Sequence, residues 1–178
     1  TWTVNANLTW YKNKLSYLPE QRKTMTVDGV QGYSSGSYFY GEGEPLYTYH
    51  LYRYAGVDQQ TGEGLYYHRV MENGEPTGEL EAVPYQKLTS NASFLCGSAL
   101  PKAYGGFGTT LTAYGFDLSL DFNYSLGGQV YDGNYALYMG TPTTTGGRGQ
   151  AIHADILNAW TPENPSATIP RWQFNDQY

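Results

Sequence analysis

The sequence predicts an all-β fold of antiparallel strands, and three observations support this prediction. Its 178 residues include 19 Tyr and 22 Gly, which fit pleated strands and tight turns better than helices. Two segments alternate apolar and polar residues over the length of a long strand. The predicted connections are unequal, one very short and others very long, which is uncommon in compact soluble domains.

The first predicted strand occupies residues 1–11, TWTVNANLTWY. Its apolar residues fall on every second position, with an aromatic residue near each end, Trp2 and Trp10. Successive side chains of a strand point to opposite faces, so this strand has one apolar face and one polar face.

The segment 115–128, GFDLSLDFNYSLGG, alternates without interruption over eleven positions. Ordinary strands have about five or six residues, whereas a strand that crosses a membrane needs about 9–11. The pattern therefore favours a membrane-spanning barrel strand, with a soluble β-sandwich or jelly roll as the alternative. In the barrel, lipid would meet Phe116, Leu118, Leu120, Phe122 and Tyr124, and the wet lumen would meet Asp117, Asp121 and Asn123.

Other segments complete the predicted element order. Residues 105–126 predict a hairpin, since TAYGF supplies a tight turn between two alternating runs. The Tyr-rich segments PLYTYHLYRYAGVD and GLYYHRVM are predicted to be extended, with a turn at DQQTGEG between them. Residues 19–44 and 127–150 are rich in Gly, Ser, Thr and Tyr and are predicted to be long loops.

One short helix is predicted inside a long loop. In AIHADILNAW, the side chains of Ile152, Ile156 and Trp160 recur at helical spacing, and Pro162 ends the pattern.

Several function classes find no support in the composition or the spacing. The formal net charge is -6 and no Lys/Arg cluster exists, which argues against nucleic acid as a partner. Asp117 and Asp121 lie about 13 Å apart on one strand face, too far for the paired carboxylates of a glycosidase, which lie within about 5–9.5 Å. The histidines lack metal-ligand spacing and no cofactor motif is present, so we predict neither a metal nor a cofactor.

Tyrosines in the predicted loops are candidate ligand contacts. Their rings could stack on sugars, or they could only pack the loops on themselves. The candidates are Tyr33, Tyr38, Tyr40, Tyr131, Tyr135 and Tyr138.

The second half of the chain carries a specific resemblance. GSALPKAYGGFGTTLTAYGFDLSLDFNYSLGGQVYDGNYALYM, followed by HADILNAWTPENPSATIPRW, resembles the C-terminal barrel region of SusC/RagA-type TonB-dependent outer-membrane transporters. Upstream, ANLTWYKNKLSYLP and GEGEPLYTYHLYRYAGVDQQTGEGLYY are similar to further segments of the family. DILNAWTPENP is the most specific match, although Ala159 stands where the family commonly has Arg.

The resemblance implies a function and a set of partners. Such transporters resemble one another in a barrel of about 22 strands, an N-terminal plug, a TonB-binding segment and a SusD-type lipoprotein lid. It implies active import of a bulky nutrient, an oligosaccharide or a peptide, across the outer membrane of a Gram-negative bacterium, with no enzymatic step. We expect residues 1–178 to be a fragment of the barrel region, without the plug, the TonB-binding segment and the final strands.

The loop of residues 150–172 is expected to lie on the extracellular side. Its helix and prolines are costly to order in a loop that merely hangs in water, so we expect it to pack on neighbouring loops. There it would shape the rim on which the lipoprotein sits, through Ile152, Ile156, Trp160, Thr161, Pro162, Glu163 and Asn164.

The chief rival is a secreted β-sandwich that binds carbohydrate through surface aromatics. A sandwich buries its apolar faces, whereas the barrel exposes an apolar band that requires detergent or lipid.

Overall fold

The computed structural model describes residues 1–89, 92–140 and 151–172. These divide into two units, one of Thr1–His50 and Leu95–Val130 and the other of Leu51–Phe94 and Tyr131–Tyr178. Eleven of the fifteen regular elements in the described residues are strands and the four helices are short, which confirms the predicted all-β fold class. The strands are β1 (Trp2–Trp10), β2 (Met25–Val27), β3 (Val30–Ser35), β4 (Tyr38–Gly41), β5 (Thr48–Tyr52), β6 (Tyr54–Val57), β7 (Gly64–Glu72), β8 (Glu75–Pro84), β9 (Ser93–Ser98), β10 (Ala103–Ala113) and β11 (Phe116–Leu126).

The two longest strands, β10 and β11, form an antiparallel sheet of three with β1, in the order β1-β10-β11. A two-residue turn joins β10 to β11, with positive φ at both Tyr114 and Gly115 (52° and 79°). Two positive φ values define the type I′ turn, whose twist matches that of the flanking strands. The predicted hairpin is therefore confirmed.

A second sheet has five strands in the order β2-β3-β4-β5-β9. It corrects the prediction of a long loop at residues 19–44, because that segment contains β2, β3 and β4. Phe39 of β4 is fully buried. Gly32 leaves space for its ring, because a Cβ at position 32 would lie only 2.7 Å from that ring. In the sequence the glycines of this segment predict a loop, whereas in the structure Gly32 leaves space for the Phe39 ring.

The third sheet has the order β6-β7-β8. It confirms that the Tyr-rich segments are extended, and it adds β8, which the sequence analysis did not predict. The turn between β6 and β7 is also confirmed: the Asp58 carboxylate accepts hydrogen bonds from the backbone N–H of Gln60 (2.8 Å) and Thr61 (3.3 Å). These bonds, the Gln60 one above all, lower the pKa of the Asp58 carboxyl.

Helical structure differs from the prediction in position. The α-helix α1 spans Gly133–Met139, inside the predicted loop 127–150, and the Asp132 side chain caps its N-terminus. Short 3₁₀-helices occupy Glu20–Arg22, Tyr85–Lys87 and Ala154–Asn158. The last includes Ile156 but neither Ile152 nor Trp160, so these three do not share a helix face.

None of the helices in the described ranges is long and apolar enough to span a membrane.

Candidate functional site

The sheet β1-β10-β11 has one predominantly apolar face. Residues directly opposite each other on neighbouring strands share a face, so the register assigns each side chain. The rings at its two ends are largely exposed, with Trp2 73% and Trp10 72% exposed. The rows on this face are Trp2 with Leu111 and Leu118; Val4 with Thr109 and Leu120; Ala6 with Phe107 and Phe122; Leu8 with Gly105 and Tyr124; and Trp10 with Ala103 and Leu126.

Two polar side chains on the apolar face, Trp2 and Tyr124, donate hydrogen bonds within the sheet. The indole N–H of Trp2 donates to the Thr109 hydroxyl at 2.8 Å. The Tyr124 ring lies over Gly105, where a Cβ would lie 2.6 Å from its hydroxyl oxygen, and that hydroxyl donates to the carbonyl of Asn7 at 2.9 Å. The face therefore presents hydrocarbon and ring surface with few unmet hydrogen bonds, which suits an apolar medium.

The opposite face of the same sheet is polar. A Cβ on Gly108 would overlap the Asp121 carboxylate and lie 3.0 Å from the Asn5 amide, so a side chain at position 108 would require these two polar side chains to move. Asn7 accepts a hydrogen bond from the backbone N–H of Gly106 at 3.1 Å. The rows are Thr3 with Thr110 and Ser119; Asn5 with Gly108 and Asp121; Asn7 with Gly106 and Asn123; and Thr9 with Tyr104 and Ser125.

The two predicted sets of β11 residues lie on these two faces. The five residues predicted to face lipid occupy the apolar face, and the residues predicted to face the lumen occupy the polar one. Which medium each face meets stays a prediction.

The segment of residues 159–171 packs onto the turn of residues 58–63, and we name this arrangement the loop clamp. The Trp160 indole covers Gly62, where a Cβ would lie 2.6 Å from the ring, and its N–H donates to the carbonyl of Gln59 at 3.2 Å. Arg171 donates to the Thr61 carbonyl at 2.9 Å and pairs with the Glu63 carboxylate at 3.3 Å.

Backbone bonds complete the loop clamp. The N–H of Trp160 donates to Ile169, and the N–H of Arg171 donates to Gly62, at 2.9 and 2.8 Å. Glycine at position 62 has a φ of +75°, so a side chain would be both strained and in collision. Gly62 and Arg171 are not among the predicted site residues, although Gly62 lies in DQQTGEG and Arg171 in HADILNAWTPENPSATIPRW.

Of the other residues predicted to contact a partner, Thr161, Pro162, Glu163 and Asn164 lie within the segment of residues 159–171, and Ile152 precedes it. Thr161 and Asn164 close a turn, in which the Asn164 N–H donates to the Thr161 carbonyl at 2.9 Å. Pro162 and Glu163 are exposed within this turn, and Ile152 is 49% exposed. Their contact with a partner stays a prediction.

The candidate tyrosines of the first unit pack on one another. Tyr33 stacks on Tyr40 with centroids 5.2 Å apart, and Tyr38 lies 4.9 Å from Tyr49. The hydrogen bond with Tyr49 raises the pKa of the Tyr38 phenol, and burial raises that of Tyr40. This packing accords with the interpretation that these rings fill their own sheet, and their contact with a ligand stays a prediction.

In the second unit, Tyr135 packs edge-on against His153 (4.9 Å) and donates to the Asp155 carboxylate (3.1 Å). The other two candidates there, Tyr131 and Tyr138, are exposed.

The sequence analysis also missed a tyrosine cluster around Tyr66 in the second unit. The centroids of Tyr52, Tyr54 and Tyr85 lie 5.9 to 6.3 Å from that of Tyr66. The Tyr54 hydroxyl donates to the carbonyl of Thr168 at 2.9 Å. Burial, aided by the nearby Tyr66, raises the pKa of Tyr54 to about 12.

Fold and site together define a class of protein. The sheet β1-β10-β11 has strands of nine and eleven residues, one exposed apolar face and one polar face. Strands of this length with that alternation are typical of outer-membrane β-barrels.

Comparisons with known proteins agree with this class. No protein-family model matches the chain. TonB-dependent receptor P3 of Formosa agariphila is 27% identical over 179 residues, covering 96% of this chain and 17% of the receptor. TonB-dependent receptor P26 of the same organism is 26% identical over 163 residues, covering 83% of this chain and 14% of the receptor.

Solved structures of a peptide transporter share the fold. The structure of the RagAB peptide transporter matches with a TM-score of 0.70 at 20% identity, covering 96% of this chain and 18% of that chain. The RagAB peptide importer in the "open-open" state matches with a TM-score of 0.66 at 21% identity, covering 99% and 18%. The predicted resemblance to SusC/RagA-type TonB-dependent transporters is thereby confirmed. This chain spans less than a fifth of the length of these relatives, which are named receptors and transporters rather than enzymes.

Proposed function

We propose that this chain forms part of a TonB-dependent transporter in the outer membrane of a Gram-negative bacterium, which imports a bulky nutrient. The observation that carries the proposal is the exposed apolar face of the sheet β1-β10-β11. Its end rows, those of Trp2 and Trp10, are eight residues apart in β1, or about 26 Å along the strand. At a strand tilt of about 40° this length spans about 20 Å of the roughly 25 Å apolar band of an outer-membrane barrel.

The partners and the nutrient belong to the same proposal. Energy would come from the TonB complex, and a SusD-like surface lipoprotein would cap the barrel. We propose an oligosaccharide as the first nutrient class. A peptide is the second, and the similarity to the RagAB peptide transporter supports it.

A secreted β-sandwich that binds carbohydrate is the competing function. Such a fold would have to cover the apolar face with a second sheet. The described residues of the first unit leave that face exposed, so the structure favours the transporter.

Cysteine labelling of the full-length protein in outer-membrane vesicles tests the proposal. After Cys96→Ser, a cysteine replacing Leu120 should react with a lipid-phase reagent, and a cysteine replacing Asp121 should react with a water-soluble one. These neighbours on one strand are matched in depth, so they control for each other. Recovery of the protein from the culture medium without detergent would contradict membrane insertion.

Transport itself is tested in cells. Deletion of the gene and deletion of TonB should each abolish uptake of a fluorescent oligosaccharide or peptide mixture. Unchanged uptake after both deletions would contradict the import function.

A further inference from the structure

Two arginines, Arg53 and Arg69, form a cluster in the second unit. The Arg69 guanidinium carbon lies 3.8 Å from the centroid of the Phe94 ring, and that of Arg53 lies 5.2 Å from the same centroid. Arg53 also lies 5.6 Å from the centroid of Tyr67. Phe94 is only 5% exposed, so two cations gather around one buried ring.

The two arginines differ in how their hydrogen-bond donors are used. Arg69 is half-buried and donates to the carbonyl of Ser93 at 3.0 Å. Arg53 is exposed, and among the described residues its guanidinium contacts only the two aromatic rings. Its guanidinium is thus held near two rings, while its N–H donors have no hydrogen-bond partner among the described residues.

Stacking and hydrogen bonding use different parts of a guanidinium. The aromatic rings take the faces of the plane, whereas the N–H donors lie at its edge, in a fork that matches the two oxygens of a carboxylate. The second cation nearby strengthens the attraction for an anion.

We infer that the arginine cluster binds a carboxylate of the imported nutrient, with Arg53 as the residue that contacts it. The carboxylate would be the C-terminus of a peptide or the uronic acid group of an acidic oligosaccharide. This inference rests on the proposed transport function and deepens it by naming an acidic group on the ligand.

Arginine-specific labelling of the full-length transporter in detergent tests the site. The protein is treated with phenylglyoxal, and the modification rate of each arginine is measured by mass spectrometry in acetate and in chloride of equal ionic strength. Acetate should slow modification of Arg53 about fivefold, because a bidentate carboxylate occupies the same donors. Arg22 is the matched control, since it is also exposed but stacks on the single ring of Tyr33, and acetate should leave its rate unchanged.

Two further pairs of ligands distinguish the sources of the carboxylate. One pair is a peptide mixture with free or amidated C-termini, and the other is an oligogalacturonate with a neutral oligogalactose. Only the acidic member of one pair should protect Arg53, and that pair names the nutrient class. Protection by acetate but by neither acidic ligand would overturn the assignment to a nutrient.

The Arg53→Lys variant keeps the positive charge but lacks the planar pair of guanidinium N–H donors, so it distinguishes their contributions to binding. It should still bind the amidated or neutral ligand as the wild type does, but lose about tenfold of its preference for the acidic one. An Arg53 that is already unreactive without any ligand would show that the rest of the transporter pairs with it, and would overturn the proposal. If no carboxylate protects Arg53 but TonB-dependent uptake of the ligand mixture is intact, only this binding site is rejected. If a carboxylate protects Arg53 but no uptake occurs, the transport function is rejected.

Discussion

Gly108 sets how closely the polar side chains of β1 and β11 approach each other across β10. It leaves space that the Asp121 carboxylate and the Asn5 amide occupy. A residue without a side chain thereby determines the density of polar groups on one face of the sheet, although in the sequence it only interrupts the alternation.

We predict that Gly108→Val destabilises the inserted full-length protein by about 1–3 kcal/mol, because the new side chain collides with its neighbours. The measurement is urea unfolding in lipid vesicles. Asp121→Ala should relieve part of the collision, so the double variant should be more stable than the sum of the single effects predicts. Strict additivity would show that the two positions do not share this space.

We predict that Leu120→Arg destabilises the same protein by about 2–4 kcal/mol if position 120 lies near the bilayer midplane, because a charge then faces hydrocarbon. Ser119→Arg is the matched control, since it places the same charge one residue away on the polar face. An effect of Leu120→Arg no larger than that of Ser119→Arg would count against lipid exposure.

Tyr54 carries a prediction on pH. Its folded-state pKa of about 12 lies above the ordinary tyrosine value of 10, so the neutral phenol stabilises the fold below pH 10. This stabilisation is lost as the pH rises from 10 to 12. The stability difference between wild type and Tyr54→Phe should therefore shrink over that range.

Thermal unfolding of the two proteins between pH 9 and pH 12 measures this difference. Tyr17→Phe, at a position 70% exposed, is the control and should change stability little at any pH. A constant difference between wild type and Tyr54→Phe would show that the phenol does not titrate as described.

At the scale of elements, the loop clamp joins two motifs that are about a hundred residues apart in the chain. In the turn at residues 58–63, two backbone carbonyls accept hydrogen bonds and Gly62 leaves space for a ring. The donors are the Trp160 indole, which also covers Gly62, and the Arg171 guanidinium. Backbone bonds from Trp160 and Arg171 then fix the register between them.

We predict that Trp160→Ala opens the loop clamp while the sheets remain assembled. The backbone amides of Trp160 and Arg171 should exchange hydrogen faster, because the indole no longer covers Gly62. Hydrogen exchange with mass spectrometry measures this. Leu157→Ala is the control at a position 88% exposed, and exchange as slow in Trp160→Ala as in that control would contradict the role of the indole.

At the scale of the whole molecule, the orientation of the chain can be tested in intact cells. We predict that residues 150–172 lie on the extracellular side, so protease added outside cells should cleave this segment in Trp160→Ala after removal of the lipoprotein. Cleavage only by protease in the periplasm would invert the orientation.

The sequence by itself determined the strands β1, β10 and β11, their two-faced alternation and the tight turn at Tyr114. A period of two fixes the face of every residue as soon as the segment is extended, and the turn residues fix the register, so no distant contact is needed. The family resemblance was also available from the sequence, since it rests on long motifs such as DILNAWTPENP.

Tertiary structure alone decided the short strands β2 to β4, the place of α1, the loop clamp and the arginine cluster. Phe39 fills the space that Gly32 leaves open, and the neighbour of Gly62 is an indole about a hundred positions away. Arg53 gains a defined orientation only from Tyr67 and Phe94. The loop clamp and the arginine cluster depend on contacts between residues distant in sequence, whereas periodicity and turn chemistry report only on neighbours.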